Sequence, residues 1–564
     1  MTDMSLTGFG WQLRSHAVAG AVAAICLLTL APTAVAQAPE VIGVSGKLAE
    51  RHLLGSQVVR SAAVEHVEDI GMTIRVSPEG DVLSVRATPF HGGSPSPNPA
   101  AIAAAQSAAR SVGFSPFTYR GRPITAEVHI DFVVRPAERW ANRSAPFPKI
   151  DWDTLRITLT RSGCFFGCPA YEVEIDGTGR VVFSSEPANQ TPPKSLGSRV
   201  GQVLHGVAMP GRHETQVSKA AVVTLVHAFQ DAIFFGLADD YESAITDQPT
   251  VSLTVDTGNG KKRVLDYAGL WIGMPEAVRQ LEEAVDRVAG TARWVRGGSG
   301  LVAWLDEQGF NFKSREAAAI LLNAAQPADA DTIVAMVDRG LPLDTPIKSG
   351  AGKPDTPLGL ELLREAFHDG QLPVFRRLVA DGWLKRLPPS EAGHLFAAWV
   401  GGCNPDFIDA AIASGIPANA QTIADPVWSI DAGGTALNRL DVARCKTDAD
   451  RIETTRRLVA HGANPNHRDS RGQTALYWME DPDLLELLLS SGADARIRDR
   501  DGAGPVLYSS QDTVVLRLLE AGASSLGQLE HGETLDNRLK DGTMPATARW
   551  LAAHGQATAP SVKP

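Results

Sequence analysis

The sequence predicts a multidomain chain in which two small α+β domains precede an all-α repeat solenoid. Three observations carry this. Between residues 70 and 290 short segments alternate apolar and polar residues around turn signals, as strands do. From residue 296 onward a glycine recurs at the ends of apolar helical segments. The chain has 564 residues, 44% of them hydrophobic and 21% charged, which suits several ordinary folded cores. With 64 Asp and Glu against 53 Lys and Arg, a net charge of -11 excludes a general attraction to nucleic acid.

Residues 1–36 read as a secretory signal. Arg14 and His16 precede an uncharged, mostly apolar run from Ala17 to Leu30, and Pro32 and Ala34-Val35-Ala36 stand before Gln37. Cleavage after Ala36 is expected, with an uncleaved anchor as the alternative. Residue 25 is Ile where a lipoprotein needs a small residue, so Cys26 is not read as a lipidation site. No later stretch is long and apolar enough to span a bilayer, so the expected location is the periplasm, with secretion or a signal anchor as alternatives. Residues 37–69 are read as a linker.

The first domain is placed at 70–136. Thr73-Ile74-Arg75-Val76 and Val82-Leu83-Ser84-Val85 flank the turn Ser77-Pro78-Glu79-Gly80-Asp81, an alanine-rich helix follows from about Ala100 to Val112, and Ile124 to Val134 alternates as a further strand. The Pro-x-Gly turn, the helix, Phe114-Ser115-Pro116 and Gly121-Arg122-Pro123-Ile124 resemble the C-terminal domain of TonB-type energy transducers. That resemblance implies pairing with an outer-membrane receptor by strand addition. A cleavable signal and the lack of a long Pro-rich spacer imply that the pairing is uncoupled from energy.

The second domain is placed at 150–290. Strands are expected at 155–160, 171–175, 180–183, 251–255 and 263–267, with helices at 218–237 and 275–288. The turn between the first two strands carries Cys164-Phe165-Phe166-Gly167-Cys168-Pro169, and Thr246-Asp247-Gln248-Pro249 precedes a later strand. This order resembles the bacterial domain of unknown function 6438, a family that implies no activity. Once the signal is removed four cysteines remain. In an oxidising compartment the local pair Cys164–Cys168 is read as a disulfide staple, and pairing of Cys403 with Cys445 is left open. A redox-active dithiol at Cys164 and Cys168 is the enzymatic alternative. Asp247 with His205, His213 or Tyr241 is a candidate catalytic set, but Asp247 before Gln248-Pro249 is read instead as a turn former.

The third region is placed at 296–556, irregular to 434 and regular from 435 to 555, with 557–564 as a tail. Glycines fall at 309, 340, 382, 415, 462, 492, 522 and 555, at intervals of 31, 42, 33, 47, 30, 30 and 33 residues. Four positions before them stand Leu305, Met336, Leu378, Ala411, Leu458, Leu488, Leu518 and Leu551, which predicts one buried helix face ending in a left-handed glycine cap. In three units a second glycine follows ten residues later, at 472, 502 and 532. Insertions interrupt the pattern near 348–353 and 421–433, and Arg496 replaces a small polar residue. With helix starts at Thr356-Pro357-Leu358, Thr435-Ala436-Leu437, Thr474-Ala475-Leu476 and Gly504-Pro505-Val506-Leu507, the region resembles an ankyrin-repeat array. The resemblance implies protein binding through the hairpin tips and inner helices and no catalytic residues. The binding candidates are Arg468, Asp469, Arg471, Tyr477, Trp478, Arg496, Arg498, Arg500 and Tyr508.

No phosphate-binding loop, dinucleotide fingerprint, nucleophile elbow or zinc-ligand histidine spacing occurs. The expected function is therefore a non-catalytic envelope scaffold for an unidentified envelope protein, without cofactor or metal. An accessory of outer-membrane receptors is a second reading.

Overall fold

The computed structural model describes residues 41–88, 97–164, 168–185, 206–298, 300–323, 328–348, 355–426, 428–440 and 445–554. The expected signal and the tail lie outside the described residues, and no described helix is long and apolar enough to cross a membrane. Sheet-rich N-terminal and middle parts are followed by a C-terminal region of many helices.

The N-terminal part is a five-stranded sheet with two helices. Its strands are β1 (Ile42–Ser45), β2 (Val58–Ser61), β3 (Glu68–Val76), β4 (Val82–Ala87) and β5 (Ala126–Pro136), and its helices are α1 (Gly46–His52) and α2 (Pro99–Ser111). The central strand β5 runs antiparallel to β3, which forms the expected hairpin with β4. On its other side β5 takes two parallel partners end to end, β1 along Ala126 to His129 and β2 along Val133 to Pro136. Ile70, Met72, Ile74 and Val76 alternate with outward residues and face the core with Val128, Ile130, Phe132 and Val134. Ala101, Ala105 and Ala109 recur every four residues along α2, so the helix approaches the sheet closely.

Residues 37–69 are not a linker from Val41 onward. Strands β1 and β2 are four residues each, too short for alternation to register, and their partner β5 lies more than 60 residues further on. The signal that folds them is long-range.

The middle part is a seven-stranded sheet. In chain order its strands are β6 (Arg156–Arg161), β7 (Tyr171–Asp176), β8 (Arg180–Ser185), β9 (Gly211–Gln216), β10 (Asp240–Glu242), β11 (Val251–Asp256) and β12 (Lys261–Tyr267), and in space they run β9-β8-β7-β6-β11-β12-β10. Helices α3 (Lys219–Asp231) and α4 (Glu276–Ala289) bury Val222, Leu225, Val226 and Phe229, and Val278, Leu281 and Val285, with the sheet residues Ile157, Leu159, Val173 and Leu253. The expected strands and helices are found within a few residues, but two strands were missed. Gly-Arg-His-Glu-Thr-Gln in β9 is an edge strand without apolar residues, and β10 has only three residues. Helix α3 stops at Asp231 rather than 237, because Ile233 adopts a left-handed conformation and leads into a short 3-10 turn.

In the helical region the glycine pattern is realised from Gly309 to Gly522, and Gly555 lies outside the described residues. Gly462, Gly492 and Gly522 have φ near +90° and follow the helices Asp448–Ala460, Pro482–Ser490 and Asp512–Glu520. The next residue reaches back to the carbonyl of the buried leucine in each case: Ala463 N to Leu458 O, Ala493 N to Leu488 O and Ala523 N to Leu518 O, at 2.9–3.0 Å. The expected helices at 435, 474 and 504 are not full helices: Ala436–Arg439 and Pro505–Leu507 are 3-10 turns, and residues 475–478 form a single turn.

The last helices return to the first strand. Gly43 N in β1 donates to Asp512 Oδ2 at 2.8 Å, and the same carboxylate accepts Ala546 N and Thr547 N at 2.9 and 2.8 Å. Ser45 and Gln511 exchange two backbone-to-amide bonds, and Arg51 in α1 reaches Asp481 and Asp448 at 3.2 Å. The N-terminal part also bonds the middle part, through Val67 N to Trp271 O and Arg139 N to Gly273 O. Residues 41–52 therefore join the two ends of the described chain.

Candidate protein-binding surface

The hairpin loops of the helical region are built alike 30 residues apart. Asp469 Oδ1 accepts the backbone N–H of Arg471 and Gln473, and Asp499 Oδ1 accepts those of Asp501 and Ala503, at 2.8–3.0 Å. Arg468 donates to Gly472 O in its own loop and to Arg498 O in the next, while Arg498 donates to Gly502 O and to Ser524 Oγ. Arg500 N donates to Arg471 O at 2.9 Å. Three of the charged binding candidates, Arg468, Asp469 and Arg498, thus hold the loops together.

The aromatic candidates divide. Tyr477 is 5% exposed and its hydroxyl donates between Ile497 O and Ala503 O at 3.0 and 2.9 Å, so it ties two units. Burial first, and then the Asp499 charge, push its phenol well above the ordinary range. Trp478 is 48% exposed. Its φ of +61° turns the side chain away from the core while Nε1 donates to Gln473 Oε1 at 3.3 Å. The indole meets Tyr508 edge to face at 4.9 Å, and Tyr508 donates to Asp499 Oδ2 at 2.6 Å. The adjoining loops carry the exposed Arg471, ion-paired with Asp431, and the exposed Arg500, and two residues beyond Trp478 Glu480 accepts both Ser510 N and Ser510 Oγ. Arg496 lies elsewhere and forks onto Asp494, whose carboxyl it holds below the usual range.

The middle part brings its two sequence signatures to one end of the sheet. Cys164 and Cys168 are disulfide-bonded, as are Cys403 and Cys445, which answers the pairing left open. Beside the first bridge Ser162 N donates to Thr250 O and Thr250 N donates to Ser162 Oγ, so the cysteine turn is sewn to the segment after Thr246-Asp247-Gln248-Pro249. Directly inward lies a buried charge cluster. Arg161 Nε and Nη2 bond Asp286 Oδ2 at 3.1 and 2.9 Å, and Nη1 lies 3.7 Å from Glu282. Tyr171 and Thr291 hydroxyls donate to Asp286 Oδ1 at 2.8 and 2.7 Å. Glu282 is 3% exposed, and burial, reinforced by Asp266, pushes its carboxyl up to about 8. Burial thus favours its protonated form.

Residues 155–289 match the family DUF6438, a domain of unknown function. This agrees with the resemblance read from the cysteine turn and the Thr-Asp-x-Pro segment. No curated protein matches the chain.

The DUF6438 region does not assemble the weighed catalytic set. His213 stands in β9 and Tyr241 in β10, the opposite edges of the sheet. The Tyr241 hydroxyl is spent on Arg139 O and Ala238 N, and the His213 ring nitrogen on Met209 O. Asp247 is exposed with φ +67° and takes a bond from Thr246 Oγ1, as a turn residue does. His205 lies outside the described residues. Sequence reasoning missed Arg161, which ends β6, and Glu282 and Asp286, because α4 reads as an ordinary amphipathic helix with charges on its outer face. The only clue was that Glu282 follows Leu281 on the apolar side.

Among the described residues one group of side chains, Glu365, His368 and Asp369, is close enough together to hold a metal ion.

Proposed function

We propose that the helical region is an ankyrin array and that the protein is a non-catalytic, exported envelope scaffold that binds another protein through residues 468–508. The observation that carries this reading is Trp478, a large aromatic held half-exposed against Tyr508, in a region whose neighbouring loops of fixed geometry carry the exposed Arg471 and Arg500. Aromatic and arginine side chains on a rigid frame supply contact area with little ordering entropy, which is how binding hot spots are composed. The glycine interval of 30 fits an ankyrin unit of about 33 residues whose first helix has lost a turn, in keeping with the single turns after Thr435 and Thr474. The periplasm is the proposed location, on the basis of residues 1–36 and the two disulfides.

The test is comparative capture from envelope extract by the mature chain, by Trp478→Ala and by Arg471→Glu with Arg500→Glu. Partners retained by the native protein should be lost from both variants while the far-ultraviolet circular dichroism is unchanged. Equal capture by all three would sink the reading.

A second reading rests on β4. No strand pairs with its outer side among the described residues, and Leu83 projects into solvent there. Strand addition at Val82–Ala87 would suit the TonB-like role of a receptor accessory. Charge reversal on that edge should then abolish receptor capture and leave the Trp478-dependent partners in place.

A further inference from the structure

We infer that the occupant of the surface around Trp478 is an extended, acidic polypeptide segment of a partner, lying across four successive units with carboxylates towards its two ends and an apolar residue between them. The inference rests on the binding role proposed for residues 468–508 and adds the chemistry of what is bound. Arg439, Trp478, Tyr508 and Arg538 each stand four residues after the residue that opens a turn, namely Thr435, Thr474, Gly504 and Thr534. Contacts link them in that order. Asn438, beside Arg439, donates Nδ2 to Gln473 O at 3.1 Å, and the Gln473 side chain accepts Trp478 Nε1 at 3.3 Å. Trp478 meets the Tyr508 ring at 4.9 Å, and Arg538 brackets Tyr508 by donating to Leu507 O and Ser509 O at 2.8 and 2.6 Å. An aromatic pair is thus flanked along the array by two arginines.

Neither arginine holds a carboxylate. Arg457 and Arg517, on the helices Asp448–Ala460 and Asp512–Glu520, pair with Asp409 and Glu486. Arg538 instead bonds two carbonyls, and Arg439 Nε is buried without any hydrogen-bond partner. In a chain of net charge -11 carboxylates are in excess, yet none is supplied to Arg439 among the described residues. A buried donor without an acceptor is costly, and an incoming carboxylate removes that cost through a charge-assisted bond. The acids of the aromatic units are engaged: Glu480 by Ser510, and Asp499 by Tyr508 and its own loop. Burial also pushes the Glu480 carboxyl up, which weakens its negative charge. Between the arginines, Trp478 and Tyr508 offer ring faces and edges that suit an apolar or aromatic side chain. Packed helices stand about 8–10 Å apart, so three unit steps separate Arg439 from Arg538 by roughly 24–30 Å. About eight or nine residues of extended chain, at about 3.3 Å each, cover that distance.

The experiment selects binders to the immobilised full mature chain from a phage library of random peptides about ten residues long, roughly the span just derived. Enriched sequences should carry Asp or Glu near both ends and an apolar or aromatic residue between them. The tightest is then made as a labelled peptide and titrated by fluorescence anisotropy. Arg439→Gln removes a charged hydrogen-bond donor and Trp478→Ala an aromatic anchor, so each should weaken binding by at least about tenfold. Arg439→Lys keeps the charge and should retain part of the affinity, which separates a lost contact from a damaged fold. Loss in Trp478→Ala without loss in Arg439→Gln would overturn the acidic occupant while leaving the binding surface in place. Affinity unchanged in both would overturn the surface as well. Enrichment of basic or uncharged sequences, no enrichment, or equal displacement by heparin, a polyanion without apolar side chains, would each overturn the inference.

Discussion

The middle sheet and the C-terminal helices bury apolar residues equally well but distribute cooperativity differently. In the DUF6438 region seven strands and two helices share one core, so Phe229 on α3 and Leu253 on β11 belong to the same packed cluster. In the helical region the repeating element is local: a leucine, a glycine cap and a loop tied to the next loop, as with Leu488, Gly492 and Asp499. The first design loses everything when one layer fails. Stacked repeats would let the second lose a unit and keep its neighbours, even though its buried side chains run as one continuous cluster from Leu301 to Leu551.

The sharpest way to test that contrast is to cut one core residue in each. Phe229→Ala removes a fully buried ring and should cost about 3–5 kcal/mol. Hydrogen exchange should then show every strand from β6 to β12 losing protection together. Leu488→Ala should cost about 2–5 kcal/mol, with the loss confined to 448–520. If protection falls uniformly across the chain in both variants, the two regions are one cooperative unit.

The disulfides make the same comparison in the unfolded state. Cys403–Cys445 closes a separation of 42 residues and Cys164–Cys168 one of 4. Loop-closure entropy then gives about 4 kcal/mol for the first and about 2 kcal/mol for the second. Thermal melts of Cys403→Ser and Cys164→Ser should rank in that order. A Cys164→Ser melt equal to the native one would show that the short bridge is no staple and would favour the redox reading.

How much of this was legible in the sequence follows from the range of the interactions. The strands β6, β7 and β11 alternate within six residues, and the glycine caps need only the helix before them, so both could be read directly. Strand β1 could not, since its core position depends on β5 and on Asp512, 469 residues from Gly43. The candidate surface was half legible. Residue type singled out Tyr477 and Trp478 equally, but only the backbone decides which of two adjacent aromatics faces inward. The Arg161 cluster was hidden because Arg161 on β6 and Asp286 on α4 stand 125 residues apart and only the packing of helix on sheet brings them together.

Protonation separates the regions next. Glu282 is raised from 4.5 to about 8, so the folded DUF6438 region holds a proton over a window in which the unfolded chain does not. That contribution is complete below pH 4.5 and is lost as pH rises towards 8. Across that window the loss runs at about 1.4 kcal/mol per pH unit, with the attraction of Arg161 already included. The difference between native protein and Glu282→Gln should therefore grow with pH from 5 to 8, with the variant the more stable at the alkaline end. A pH-independent difference would mean that Glu282 is already ionised beside Arg161.

The smallest effect is a gain. Asn419 and Asn466 stand four residues after Gly415 and Gly462 and rivet successive turns, Asn419 bonding Gly462 O and Asn464 N, and Asn466 bonding Gly492 O and Asp494 N. Position 496 is the next in that series, but Arg496 folds back on Asp494 and its stem lies against Gly522. Arg496→Asn should extend the rivet to the turn at Gly522 and stabilise the last units by about 0.5–1.5 kcal/mol. Because Asp512 in the following helix also holds β1, slower exchange at Gly43 should accompany the gain. Stabilisation of the last helices without any effect at Gly43 would show that the joint between the two ends of the chain opens independently of the units that carry it.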